Sequence, residues 1–168
     1  MRVIGYVRDA PGPDRGDTVF VQSERIRRWV AHNRCQLVAV CQDALSGGAA
    51  DDRDGYRALL GIISAGHVDS VLIPELAVLS ADLMVQEIML HDLRVRGVNV
   101  ISADENDLPA LADPATDPGR LLIRDVLTKQ QAYRHRFSDA ADGIIDTDQD
   151  VMIELIPYAE DFAPARAS

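Results

Sequence analysis

Cysteine is nearly absent: Cys35 and Cys41 are the only two in 168 residues. They flank an expected helix-to-strand junction and read as buried free thiols. A disulfide has no support, and two cysteines do not make a metal site. Long hydrophobic runs are missing as well. No stretch approaches the roughly 18 apolar residues that span a bilayer. The opening MRVIGYVR moves straight into a strand pattern, without the order of a signal peptide. A cytoplasmic chain with no membrane partner is expected. His32, His67, His91 and His135 are scattered without ligand spacing, which argues against a metal. No GxGxxG follows the first strand and Ser46-Gly47-Gly48 is too short for a P-loop, so the expected cofactor set is none.

Positive charge is also scarce. Seventeen Lys and Arg face 27 Asp and Glu, a net charge of −10. The deficit is uneven: residues 1–136 hold 16 basic against 19 acidic residues, net −3, whereas 137–168 hold 1 against 8, net −7. Duplex affinity rests mainly on cations meeting phosphates, so by charge this is a poor stand-alone DNA binder.

What is present is an ordinary globular composition, 47% hydrophobic and 26% charged, in a chain long enough for one domain with a real core. Val3, Ile4, Tyr6 and Val7 read as a buried strand ending at Arg8. TVFVQSERIRRWVAHN, residues 18–33, reads as a helix with Val19, Gln22, Ile26, Trp29 and Val30 on one face and arginines opposite. QLVAVCQ at 36–42 is a second strand, YRALLGIISAG a short helix, VDSVLIPEL at 68–76 a third strand. A helix capped near Ser80 or Asp82 and a fourth strand at 98–104 follow. Repeated β-α units predict a mostly parallel sheet flanked by helices. Apolar runs such as LVAV and SVLI predict strands covered on both faces.

After a proline-punctuated loop, Asp117 and Pro118 are placed to cap and start a long last helix. Leu121, Leu122, Val126, Leu127 and Tyr133 give it an apolar stripe, with Arg120, Arg124, Lys129, Arg134 and Arg136 opposite. Residues 1–136 are thus expected to form one domain, including that helix from about 118. Residues 137–168 read as an acidic tail with one apolar segment, VMIELIPY.

Two arginines invite a chemical reading. Arg8 at a strand end and Arg53 after the 43–52 loop would converge at the carboxyl edge of the sheet. A guanidinium pair there suits a phosphodiester; the alternative is an ion pair of each with one of the many nearby acids.

The motifs GYVR at 5–8, Gln22, DALSGGAADDRDGYRALL at 43–60, VDSVLI at 68–73, LAVLSAD at 76–82 and DPGRLL at 117–122 occur together in an order and spacing that resembles the serine recombinase catalytic domain, the resolvase/invertase family. The resemblance covers residues 1 to about 136. It implies a resolvase-like sheet with a long C-terminal dimerisation helix. It also implies DNA cleavage by a serine that becomes linked to the 5′ phosphate while arginines hold the scissile phosphate. Arg8 and Arg53 match the family's arginines at the strand end and after the Ser-Gly-Gly loop, a vestigial phosphate site. The nucleophile position, two residues after Arg8, is Ala10. The family signature Leu-Asp-Arg-Leu, a small residue, then Arg stands here as Leu76-Ala77-Val78-Leu79-Ser80-Ala81. Ala77, Val78 and Ala81 therefore replace an aspartate and two arginines, and no helix-turn-helix pattern follows Arg136.

The expectation is a degenerate member that is not an enzyme: a homodimeric regulatory or scaffold protein with a protein partner. One competing expectation is a DNA-binding accessory factor using the basic face of the last helix, its DNA contact weak or partner-dependent and any nucleoid association made through that partner. A second is residual cleavage with Ser46 or Ser80 as a relocated nucleophile. A third gives the acidic tail the work, as an autoinhibitory or partner-binding segment.

Overall fold

The apolar run at the start of the chain forms β1, Arg2–Arg8. The structure, a computed structural model, describes residues 1–9, 17–43, 53–66 and 68–142, with side chains as far as residue 135. Ala10, Ser46 and its Gly-Gly neighbours, Asp51, Asp52, His67 and the segment VMIELIPY lie outside those residues. β2 spans Gln36–Asp43, β3 Ser70–Ile73 and β4 Asn99–Ser102. The strands are all parallel, in the order β2-β1-β3-β4. Parallel neighbours need a crossover, and α1 (Val19–His32), α2 (Asp54–Ser64) and α3 (Leu83–Val95) supply three. A short α4, Leu108–Leu111, precedes α5, Pro118–Asp142.

Alternation along β1 divides the core in two. Val3 and Val7 pack with Leu72 and Ile26 of α1 on one face of the sheet. Ile4 and Tyr6 pack on the other with Leu59 and Ile63 of α2 and Leu90 and Leu93 of α3. Gly5 lies under α1: a Cβ there would stand 3.2 Å from Ile26 Cδ1. The helix starts follow the expected chemistry. Thr18 accepts from the Val21 amide, Asp82 from Val85 and Asp117 from Arg120, each satisfying a donor that the first helical turn leaves free. Cys35 and Cys41 are both free.

The fold class read from the sequence is the observed one: a parallel sheet flanked by helices with a long C-terminal helix. Two details differ. SVLI is buried on both faces as expected, but LVAV belongs to β2 at the sheet's edge, and Val38 is 40% exposed. The β1–β2 register steps from Val3–Leu37 to Ile4–Ala39, leaving Val38 as the extra residue of a bulge, a device that spoils an edge for unwanted pairing. The last helix runs past residue 136 to Asp142. By internal contacts Met1–Gln131 forms one unit and Ala132–Ser168 a second. Among the described residues no helix is long and apolar enough to cross a membrane, and no cluster of three or more His, Cys, Asp or Glu could hold a metal ion.

Candidate functional site

The order β2-β1-β3-β4 reverses direction beside β1, and in such sheets the crevice at the carboxyl ends of the strands is where chemistry collects. β1 delivers Arg8 to this rim. Gln22, 3% exposed on α1, fixes the strand end from both sides: its Oε1 accepts the Arg8 amide (3.0 Å) and its Nε2 donates to the Arg8 carbonyl (2.9 Å). The same Nε2 donates to the Asp17 carbonyl (2.7 Å). A buried glutamine on an otherwise apolar helix face is thus a clamp on the site's backbone.

Beneath the rim lies a buried polar pair. Tyr6 donates its hydroxyl to Asp43 Oδ2 (2.7 Å) at the end of β2. Asp43 also accepts the amides of Gly55 (2.6 Å) and Tyr56 (3.2 Å). It therefore does for α2 what a cap side chain does, since Arg53, at the cap position, makes no such bond. The approach is close enough to demand glycine: a Cβ on Gly55 would stand 2.4 Å from the Gln42 carbonyl oxygen. Burial, then the hydrogen bond to Asp43 and its charge, push the Tyr6 hydroxyl above its ordinary range, against the opposing charges of Arg53 and Arg8. The charges of both arginines act on this hydroxyl.

Their engagements differ. Arg53 donates from Nη1 to the Leu79 carbonyl (2.7 Å) and approaches Met89 Sδ. Arg8 is half-buried, and among the described residues its guanidinium makes no hydrogen bond or ion pair. Neither arginine pairs with an acid among the described residues.

The segment after β3 winds through a 3₁₀ turn, Leu76–Val78. Val78 is buried within the α2–α3 side of the core, whereas Ala77 and Ala81 are exposed. Ser80 is buried and its Oγ accepts the Asp82 amide (3.1 Å), a helix-start contact; among the described residues no side-chain base bonds to it. The turn is tied down by residues that sequence reading passed over. Asp107 accepts the Leu76 amide (2.8 Å) and the Ser102 hydroxyl (2.5 Å), and Gln86 donates to the carbonyls of Leu76 and Ser80.

The start of α5 turns two of its basic residues away from solvent. Arg120 and Arg124 do not form a solvent-facing basic surface: they are 13% and 11% exposed and converge on Glu87 of α3, itself fully buried. Arg120 Nη1 donates to Glu87 Oε1 (2.5 Å) and Nη2 to Gln86 Oε1 (2.5 Å). Arg124 reaches Glu87 through Nε (2.7 Å) and Nη2 (3.2 Å), and donates to the carbonyls of Ala112 and Ala110. Burial alone would raise the Glu87 carboxyl; the hydrogen bonds from Arg124 and Arg120, with their charges, outweigh it and hold the group below its ordinary value. Ile123 and Leu127 share this inward face and are half-buried. Leu121 (40%), Leu122 (66%) and Val126 (54%) face solvent instead. Lys129 pairs with Asp125 on the exposed surface. Tyr133 and Arg134 are exposed, and the Arg136 side chain lies outside the described residues.

A family model described as "Resolvase, N terminal domain" matches residues 3–143. No curated protein matches the chain. Solved structures do. The N-terminal catalytic domain of TP901-1 integrase aligns at a TM-score of 0.55 with 18% identity, covering 82% of this chain and 98% of that one. A resolvase family site-specific recombinase from Streptococcus pneumoniae aligns at 0.56 with 19% identity, covering 84% and 94%. The C-terminal catalytic domain of ISC1926 TnpA, an IS607-like serine recombinase, aligns at 0.52 with 18% identity, covering 82% and 86%. At such identities the likeness is one of fold.

Proposed function

This chain belongs to the resolvase N-terminal domain family, and on that premise we propose that it is a non-catalytic, homodimeric member acting as a regulatory or scaffold protein through protein contacts. The observation that carries the reading is the setting of α5. An amphipathic helix ordinarily buries its apolar side chains; this one turns Arg120 and Arg124 inward beside Ile123 and Leu127 and leaves Leu121, Leu122 and Val126 in solvent. That face suits a second copy of the same helix, since a two-fold contact needs only one self-complementary patch.

The absence of chemistry is read from four positions taken together. A methyl group at Ala10 cannot attack phosphorus. Ala77, Val78 and Ala81 offer no carboxylate and no guanidinium where the family signature has them. Loss of a single oxyanion donor costs roughly 10²–10³ in rate, and here the nucleophile and two phosphate-binding arginines are replaced at once. The framework survives the exchange because the replacements need no partners: Val78 packs in the core and the two alanines sit at the surface.

The competing reading, an accessory factor that contacts DNA, draws support from the Arg8 guanidinium, which has no partner among the described residues, but Arg120 and Arg124 are engaged by Glu87. The test of the leading reading is incubation with supercoiled plasmid followed by denaturing electrophoresis, alongside light scattering. Expected are a dimer and no covalent protein–DNA adduct. An adduct, or a monomer at micromolar concentration, contradicts it. Duplex binding that weakens steeply with salt and disappears on Arg8→Ala would favour the accessory factor.

A further inference from the structure

We infer that Glu87 is a positioning residue that selects which face of α5 is turned to solvent, and so keeps the association face open. The inference rests on the dimeric reading for its purpose, but its geometry stands independently.

Residues 118–131 of α5 could cover the domain in two ways. Apolar side chains lie on both faces, Leu121, Leu122 and Val126 on one and Ile123 and Leu127 on the other, so hydropathy alone does not choose between the settings. The structure turns the second face inward, and the group that decides it is on another helix. Glu87 is completely buried, and a carboxylate taken out of water without compensation is strongly unfavourable. Arg120 and Arg124, four residues apart on one face, together supply three donors to its two oxygens. Three further donors go to Gln86 and to the carbonyls of Ala110 and Ala112. Rotating α5 to bury Leu121 and Leu122 would strand the Glu87 charge and leave Gln86 Oε1 without the Arg120 donor. The buried ion cluster therefore acts as a specificity device, of the kind in which polar groups fix one of several apolar packings. It also reaches the segment after β3, because Gln86, held by Arg120, donates to the carbonyls of Leu76 and Ser80.

Hydroxyl-radical footprinting read by mass spectrometry tests this without added probes, by comparing oxidation of outward Leu122 with inward Leu127. It is done at a dilution where sedimentation shows single protomers. In the wild-type chain Leu122 is the faster. Two variants remove the selector: Glu87→Gln, which keeps the volume, and the triple replacement of Glu87, Arg120 and Arg124 by methionine. Each is expected to lower the Leu122-to-Leu127 ratio threefold or more while circular dichroism stays helical. A smaller change in a folded variant overturns the inference, and the Glu87→Gln result decides if the triple variant does not fold. Loss of the fold in both also overturns it, since Glu87 would then be a folding requirement. A fall in melting temperature alone, which any damaged contact produces, leaves the ratio at its wild-type value and counts against the selector role. A wild-type chain that never associates contradicts the dimeric reading, while the ratio still reports the setting of α5.

Discussion

At the scale of the residue, position 10 carries the clearest consequence. If catalysis is lost at several positions together, Ala10→Ser alone restores no strand cleavage, because Val78 and Ala81 still supply no guanidinium; a plasmid-nicking assay reads this directly. Asp43 has the opposite character, a residue kept for structure. Asp43→Ala leaves the Tyr6 hydroxyl and the amides of Gly55 and Tyr56 without their acceptor and is expected to cost about 3 kcal/mol, measured by urea unfolding. Glu87 makes stability depend on pH. Its carboxyl is held below the ordinary value by Arg124 and Arg120, against burial. Its contribution is therefore complete above the unfolded value of about 4.3 and is lost as pH falls through the depressed folded value. Glu87→Gln should destabilise by about 3–5 kcal/mol at neutral pH, and the gap from wild type should narrow below about pH 4. Arg8 and Arg53 were legible in the sequence because a strand end and a loop end announce themselves. Glu87 was not, since a glutamate inside LMVQEIMLH looks like the polar side of a helix.

At the scale of the element, strands and helix starts were readable because their signals are local. SVLI is apolar throughout, and Thr18, Asp82 and Asp117 stand where helix caps belong. LVAV has the same apolar look as SVLI yet lies at an edge, because strand order is not written in any one strand. The setting of α5 was left open for a related reason. Its amphipathic pattern defines two faces, but which one turns inward is decided by Glu87, some thirty residues earlier in the chain. The exposed face makes a prediction of its own. Leu122→Asp with Val126→Asp should weaken self-association at least tenfold by sedimentation. The melting temperature should barely change, because side chains 66% and 54% exposed contribute little to the protomer's core.

At the scale of the whole molecule, charge and surface point the same way. A net charge of −10, concentrated beyond residue 136, opposes unaided contact with duplex phosphates, and the two arginines that begin α5 face Glu87 rather than solvent. Outward on α5 stand Leu121, Leu122 and Val126 beside the Lys129–Asp125 pair, and an exposed apolar strip on a helix is a surface for another protein. The resolvase fold is retained, with Arg8 and Arg53 at its rim. The most direct test is the mass of the purified chain by size-exclusion chromatography with light scattering across the micromolar range. The account predicts twice the 18.4 kDa of one chain, and a mass that stays at 18.4 kDa throughout would contradict it.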